Sequence, residues 1–346
     1  MSSPEEAAVM AAIRSGDQAA FAALAERYRR RLHVHCYRML GSFDDAEDLV
    51  QDTLLRAWRG RDGFEGRALF RTWLHRIATN ACLSALERAP RRVLPQDVVP
   101  PVTAATDASA ARSEPGWAPE IPWLSPYPDH LLDVAAPSEA EPDALLVSRE
   151  TIELVFLAAL QHLPPRQRAI LLLCDVLGWS AKEVAALLEL TVASVNSALQ
   201  RAHATMRAQR PAGRPDQPAV SAPTDDERAL LGAFMDAWGR ADVTALTQLL
   251  RDDARWAMPP APLWFDGRDA IVRLFTLYPM DFHGAVIMRP AAANRQPAAA
   301  AYLRPHGQSV YRLSGIHMLR VEAGAIAEIT TFSAALCRSF GLAPTL

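Results

Sequence analysis

Residues 42–92, SFDDAEDLVQDTLLRAWRGRDGFEGRALFRTWLHRIATNACLSALERAPRR, decide how the chain is read, because an acidic helix there runs into a basic one that carries aromatic side chains. Ser42 is placed to cap the first helix, with Asp45 three residues on. Ala46, Leu49, Val50, Thr53, Leu54, Ala57 and Trp58 recur at helical spacing and make a buried stripe, which turns Asp44, Glu47, Asp48, Gln51 and Asp52 outward. Acids in a first turn also suit the helix dipole, so taken alone this is an ordinary solvated helix start. The second helix shifts the balance. Leu74, Ile77, Ala78 and Ala81 form its apolar stripe, while Trp73, Arg76 and Asn80 share a different face at i, i+3 and i+7. An indole, a guanidinium and an amide can stack on an unpaired base, hold a phosphate and bond a base edge. Trp73 also has a packing reading.

The charge balance supports a local nucleic-acid contact. From Arg59 to Arg92 there are eight Arg against three acids, whereas the whole chain of 346 residues carries a formal charge of −3. A polyanion is therefore attracted to a patch and not to the protein at large. Half of the residues are hydrophobic, enough for two or three domains with real cores. No basic segment followed by an apolar core opens the chain, and runs such as LVFLAAL and AILLLC are far short of a membrane span, so a cytoplasmic protein with no membrane partner is expected. Cys36, Cys82, Cys174 and Cys337 are scattered, without a CxxC pair, and the HVHC run at 33–36 lacks further ligands. No metal, cofactor or catalytic group is expected.

The stretch DDAEDLVQDTLLRAWR with FRTWLHRIATNACLSALERAPRR resembles region two of the extracytoplasmic-function sigma factors of bacterial RNA polymerase. The resemblance implies that Asp45, Glu47, Asp48, Gln51 and Asp52 face core RNA polymerase. It also implies that Phe64, Phe70, Trp73, Arg76 and Asn80 lie near the melted strand of the promoter's minus-ten element. Residues 5–40, read as two helices broken near Ser15, Gly16 and Asp17, buttress that region. The module is expected to span 5–92.

From 93 to 143 the chain holds ten Pro and no sustained period, which marks a linker. Its tract EIPWLSPYPDHLLD is too apolar for free coil. Either it docks on a neighbouring domain, or it threads a groove of the polymerase as the resemblance allows. Helical periodicity returns over 144–208. There Ile152, Val155, Phe156, Ala159 and Leu160 make a stripe, LPPRQR is a break, and Ala169 to Leu177 reads as a helix. In WSAKEVAALLELTVASVNSALQRAHATMR, Ser180 and Glu183 form a capping box, Leu190 plugs a turn and Thr191 caps the next helix. Val192, Val195, Leu199, Ala202 and Met206 are expected inside, and Ser194, Asn196, Ser197, Gln200 and Arg201 outside. The pattern is a helix-turn-helix, its second helix the candidate major-groove reader. The whole resembles region four of the same sigma family, which contacts the minus-thirty-five element of promoter DNA. Ser180, Lys182, Thr191, Ser194, Asn196, Ser197, Gln200 and Arg201 are the implied contacts. Asn196 and Ala198 stand where many relatives carry arginine, so the promoter sequence read here is this chain's own.

A second linker, 209–224, precedes a third module at 225–346. Two short helices bearing Leu230, Leu231, Phe234 and Trp238 are followed by strand-like runs, with Gly324 in a hairpin turn. The run resembles the SnoaL-like branch of the nuclear-transport-factor-two-like superfamily, an α+β cone. The expected fold is thus multidomain, two all-α sigma domains and then that cone. Trp256, Trp264, Phe265, Tyr278, Asp281, His283, Tyr302 and His317 could line a pocket for a small-molecule ligand. The reading is an alternative sigma factor whose C-terminal domain regulates it. Two alternatives stand beside it: a stand-alone helix-turn-helix regulator, and an isomerase- or cyclase-type enzyme in the C-terminal cone.

Overall fold

The computed structural model describes residues 12–13, 15–64, 70–103, 121–134, 152–209, 223–277 and 284–346. The chain divides into two compact units. The first is residues 1–91, 130–147 and 155–216; the second is 92–129, 148–154 and 217–346. The linker expected at 93–143 is therefore no free spacer, since most of its described length belongs to the C-terminal unit.

In the first unit, α1 (Gln18–Leu40) opens on Asp17, whose carboxylate accepts from the Ala20 amide at 2.9 Å. It ends at Gly41, φ 73°, a left-handed cap that glycine adopts without a Cβ clash. Helix α2 (Phe43–Arg59) opens on Ser42, whose hydroxyl accepts from the Asp45 amide at 3.3 Å, and α3 (Phe70–Leu86) packs across both. Ala46, Val50, Thr53 and Ala57 of α2 are buried as their spacing requires, as are Leu74, Ala78 and Ala81 of α3. The first helix expected before Ser15 lies largely outside the described residues.

In the same unit α5 (Leu154–Gln161) precedes α6 (Pro165–Leu171), with α4 (Asp129–Val134) earlier in the chain. Helix α6 starts at Pro165, four residues before the expected Ala169. Proline at the first helical position lacks an N–H that would have no intrahelical partner anyway, so it starts the helix instead of delaying it. The helix runs on through a π turn at Leu172–Val176. Helix α7 (Ala181–Leu188) carries the Ser180/Glu183 capping box, the turn passes through Glu189 at φ 56°, and α8 (Val192–Ala208) is capped by Thr191. Val195, Ala198 and Ala202 form its buried line, packed with Ile170, Leu173, Val184 and Leu187. Val192 is 44% exposed and so does not belong to the inner stripe. It sits beside the cap, one turn ahead of the packed face.

In the second unit, α9 (Asp225–Gly239), α10 (Val243–Leu249) and α11 (Arg268–Leu277) lie with a six-stranded sheet of order β2-β1-β6-β5-β4-β3. The strands are β1 (Leu250–Ala257), β2 (Trp264–Asp266), β3 (Ala285–Ala293), β4 (Gln296–Arg304), β5 (Arg312–Glu322) and β6 (Ala325–Ser333). The sheet is mixed, because β1 and β6 are parallel while the other neighbouring strands are antiparallel. Gly324, φ 76°, follows Ala323, φ 51°, in the β5–β6 turn, a pair of left-handed residues whose twist suits a two-residue hairpin. Asn294 and Arg295, φ 53° and 58°, do the same between β3 and β4.

That second hairpin receives the apolar tract of the linker. The Asn294 side-chain oxygen accepts from the Tyr127 amide at 2.8 Å, and the Asn294 amide donates back to the Tyr127 carbonyl at 2.9 Å. Its side-chain nitrogen donates to the Ile152 carbonyl at 2.8 Å, and Asp129 accepts from the Arg295 amide at 2.8 Å. Further upstream, Val102 adds to the free edge of β2. Its amide donates to Trp264 at 2.9 Å and its carbonyl accepts from Asp266 at 3.1 Å. Trp123, Leu124 and Tyr127 are buried. Of the two fates open to the tract, docking on a neighbouring domain is the one found.

Candidate functional site

The outward face of α2 is smaller than its sequence implied. Asp45, Asp48 and Gln51 are exposed, and Asp52 is half-buried and paired with Arg56 at 2.7 Å. Glu47 is turned inward. It pairs with Arg29 of α1 and lies 3.6 Å from the buried His33 ring. Burial raises its pKa, but the Arg29 hydrogen bond and charge outweigh this and hold it below the usual value. Glu47 thus joins α1 to α2 and is withdrawn from the outer face. Leu55, 55% exposed, takes a place on that face, at i+7 from Asp48 and i+4 from Gln51. Sequence reasoning missed it, because a leucine next to an apolar stripe reads as core.

On α3, Arg76 and Asn80 are exposed and Trp73 is half-buried, so the three stay together on one face. Phe64 and Phe70 do not join them at the surface, being 6% and 1% exposed. Phe70 meets Phe21, Tyr28, Phe64 and Trp73, with ring centroids at 5.7 Å from both Tyr28 and Trp73. Phe64 backs Trp73 at 5.0 Å. The two phenylalanines therefore hold the indole in place from beneath.

Four buried imidazoles carry a measurable consequence. Burial lowers His33, His75 and His317 to about 4 and His35 well below its ordinary value. Between about pH 6.5 and 4 the unfolded chain binds protons that the folded chain does not, so stability falls as pH falls. Three of these groups lie in the first unit. Chemical unfolding of that unit at pH 7 and pH 5 should show a loss of about 1.4 kcal/mol per pH unit for each group inside the window. A pH-independent midpoint would contradict the burial.

In the helix-turn-helix, Ser180 is committed to its cap. Its amide donates to Glu183 at 2.8 Å and its hydroxyl donates at 2.7 Å. Thr191 and Ser194 bond each other at 2.8 Å around the next cap. Lys182, Asn196, Ser197, Gln200 and Arg201 are exposed, and the last four share one side of α8. Ala198, by contrast, is buried at 7%.

Of the expected pocket residues, Tyr278, Asp281 and His283 lie outside the described residues. Trp256 and His317 meet through Thr331, which accepts from the indole N–H at 2.8 Å and bonds the imidazole at 2.9 Å. Trp238, Phe234 and Phe275 complete this ring cluster, with Trp238 at 5.4 Å from His317 and 5.7 Å from Phe275. The buried Trp238 indole nitrogen has no hydrogen-bond partner among the described residues. Trp264 is elsewhere, donating to the Val99 carbonyl at 2.9 Å on the linker. Phe265 packs in the sheet core, and Tyr302, on β4, is buried outside the ring cluster. Trp238 was readable as apolar face only, since its rotation toward His317 depends on the fold of the sheet.

The first unit thus holds a helical module with an acidic outer face and a Trp73–Arg76–Asn80 row, followed by a capped helix-turn-helix. Comparison gives the same division. A model of Sigma-70 region 2 matches residues 24–92, one of Sigma-70, region 4 matches 153–206, and one of the SnoaL-like domain matches 231–329. The ECF RNA polymerase sigma factor SigG of Mycobacterium tuberculosis is 42% identical over 96% of this chain and 86% of its own. SigW of Bacillus subtilis is 29% identical over 57% of this chain and 92% of its own. The crystal structure of M. tuberculosis SigJ covers 93% of this chain and 99% of its own with a TM-score of 0.55 at 20% identity, a likeness of fold. The chain belongs to the extracytoplasmic-function sigma factors of bacterial RNA polymerase, and carries a SnoaL-like domain at its C-terminal end.

Proposed function

We propose that this sigma factor directs RNA polymerase to its promoters through two surfaces, and that the C-terminal domain restrains it by holding the linker. The polymerase-facing surface consists of Asp45, Asp48, Gln51 and Asp52 with Leu55 among them. The minus-ten strand meets Trp73, Arg76 and Asn80. In the major groove at minus thirty-five, Asn196, Ser197, Gln200 and Arg201 reach the bases, with Lys182 on phosphate. Few charges stand on that reading face, so its discrimination rests on amide and hydroxyl bonds to base edges.

The observation that carries the regulatory part is the grip of Asn294 on Tyr127 and Ile152, with Val102 paired to β2. A linker held in this way is not free to thread through a polymerase. The test is run-off transcription with core polymerase and genomic template. Full-length protein is expected to start transcripts, Asp48→Ala with Leu55→Ala to lose co-elution with core, and removal of 211–346 to raise transcription while core binding survives. Failure of the full-length protein to bind core would remove the sigma surfaces, and unchanged transcription after truncation would remove the restraint.

A further inference from the structure

Val192, the first residue of α8, is 44% exposed and takes no part in the core that Val195 and Ala198 make with Ile170, Leu173, Val184 and Leu187. Among the described residues of the first unit, the large apolar side chains left exposed are Leu55, on the outer face of α2, and Val192. One exposed valine is ordinary on a protein surface, so its surroundings must decide whether it has a task. The cap beside it is complete without it, since the Thr191 hydroxyl accepts from the Ser194 amide at 3.1 Å and bonds the Ser194 hydroxyl at 2.8 Å. A β-branched side chain at this place gains nothing as a helix former. Helix α7 carries Glu183 in its first turn, where the helix dipole favours an acid, whereas the first turn of α8 holds none.

Val192, Asn196 and Gln200 follow one another at i, i+4 and i+8, all three exposed, and so form one ridge along α8. At 1.5 Å per residue the ridge is about 12 Å long, the length of three to four base pairs at 3.4 Å each. It presents an isopropyl group and then two amides, with no charge.

We infer that Val192 is a specificity-determining residue, which reads the C5-methyl of a thymine at the N-terminal end of a ridge whose two amides read adenine. This inference rests on the assignment of α8 to the major groove of the minus-thirty-five element. A recognition helix meets base edges with its N-terminal residues, which is where Val192 stands. Thymine is the base that offers a methyl group in the major groove, and asparagine and glutamine bond adenine through its N6 and N7. The partners that favour guanine and cytosine, a guanidinium or ammonium and a carboxylate, are missing from the ridge, so each of its three contacts selects an A·T pair. Cytosine opposite Val192 is rejected for a second reason. Its N4 amino group would lose water against an isopropyl group that accepts no hydrogen bond. Thymine instead covers apolar surface that is otherwise left in water.

The test uses holoenzyme assembled from the full chain and core polymerase. Promoters are first selected from duplex randomised over the minus-thirty-five element, and the selected sequences should contain a run of A·T pairs with one required thymine. Each thymine of that run, on either strand, is then replaced singly by deoxyuridine, which removes the methyl group and keeps the pairing. At one position this should weaken promoter binding about 4-fold, the equivalent of about 0.8 kcal/mol for one buried methyl-sized group. At the same position 5-methylcytosine should bind better than cytosine by a similar factor. Val192→Ala should bind thymine and uracil equally there, with an unchanged melting temperature because the side chain is exposed. A uracil defect that persists in Val192→Ala overturns the inference. So does a selected element that Gln200→Ala alters but in which no thymine is sensitive to uracil, and in that case the major-groove assignment of α8 stands. A selection with no preference upstream of minus ten, or one that Asn196→Ala and Gln200→Ala leave unchanged, overturns that assignment and the inference with it.

Discussion

Asn294→Ala should free the linker and raise promoter-dependent transcription. The side chain is fully buried and satisfies the Tyr127 amide and the Ile152 carbonyl together. Truncation leaves both backbone groups buried without partners, at about 1–3 kcal/mol each. Alanine at φ 53° adds about 1 kcal/mol, since asparagine tolerates the left-handed region better. Together these exceed what a short docked segment retains, so residues 121–129 should leave the hairpin. Limited proteolysis would then cut near Trp123 and Tyr127 in the variant and not in the parent, and run-off transcription should increase. Asn294→Gly relieves the backbone strain while still removing the amide, and should behave like alanine. A linker that becomes cleavable with no change in transcript yield would separate docking from restraint and refute the proposed regulation.

The second large effect is expected at Trp73. Stacking of a base on an aromatic side chain contributes about 1–3 kcal/mol, so Trp73→Ala should lower run-off transcription by roughly 5- to 150-fold. Co-elution with core polymerase should be unchanged, because the acidic face of α2 is untouched. Trp73 also packs on Phe64 and Phe70, so part of any loss could be structural. Asn80→Ala separates the two causes. Asn80 is exposed, and its loss should reduce transcription without moving the melting temperature. A template with a pre-melted minus-ten bubble should keep the Trp73→Ala defect if the indole holds the strand. Wild-type yields from Trp73→Ala on duplex template would place the base contact elsewhere.

Reading the chain along its length goes far where the information is local. The capping box of Ser180 and Glu183, the cap of Thr191 and the stripe of α2 all follow from groups three or four residues apart, and they stand where spacing put them. Asp48, Arg76, Asn80, Gln200 and Arg201 are likewise exposed, since a charged or amide side chain opposite an apolar stripe has nowhere else to go. The failures have a common cause. Glu47 lies on the polar side of its helix, yet Arg29 and His33 of a neighbouring helix draw it in. Phe70 begins a helix and reads as a candidate for stacking on bases, but two rings of α1, Phe21 and Tyr28, and the Phe64 ring enclose it.

Periodicity, capping and charge along the chain were thus sufficient for two helical modules, the second a helix-turn-helix, and a trailing α+β domain, because each depends on residues within a few turns of one another. Three matters needed the folded chain: the docking of the WLSPYPD tract on the Asn294 hairpin, the parallel pairing of β1 with β6, and the burial of Arg168 against Met39. Each joins groups far apart in sequence, through a backbone carbonyl, a side-chain amide or a strand edge that carries no mark in the amino-acid string. Every residue presents the same carbonyl and almost every one the same amide, so only the approach of distant segments determines which of them meet.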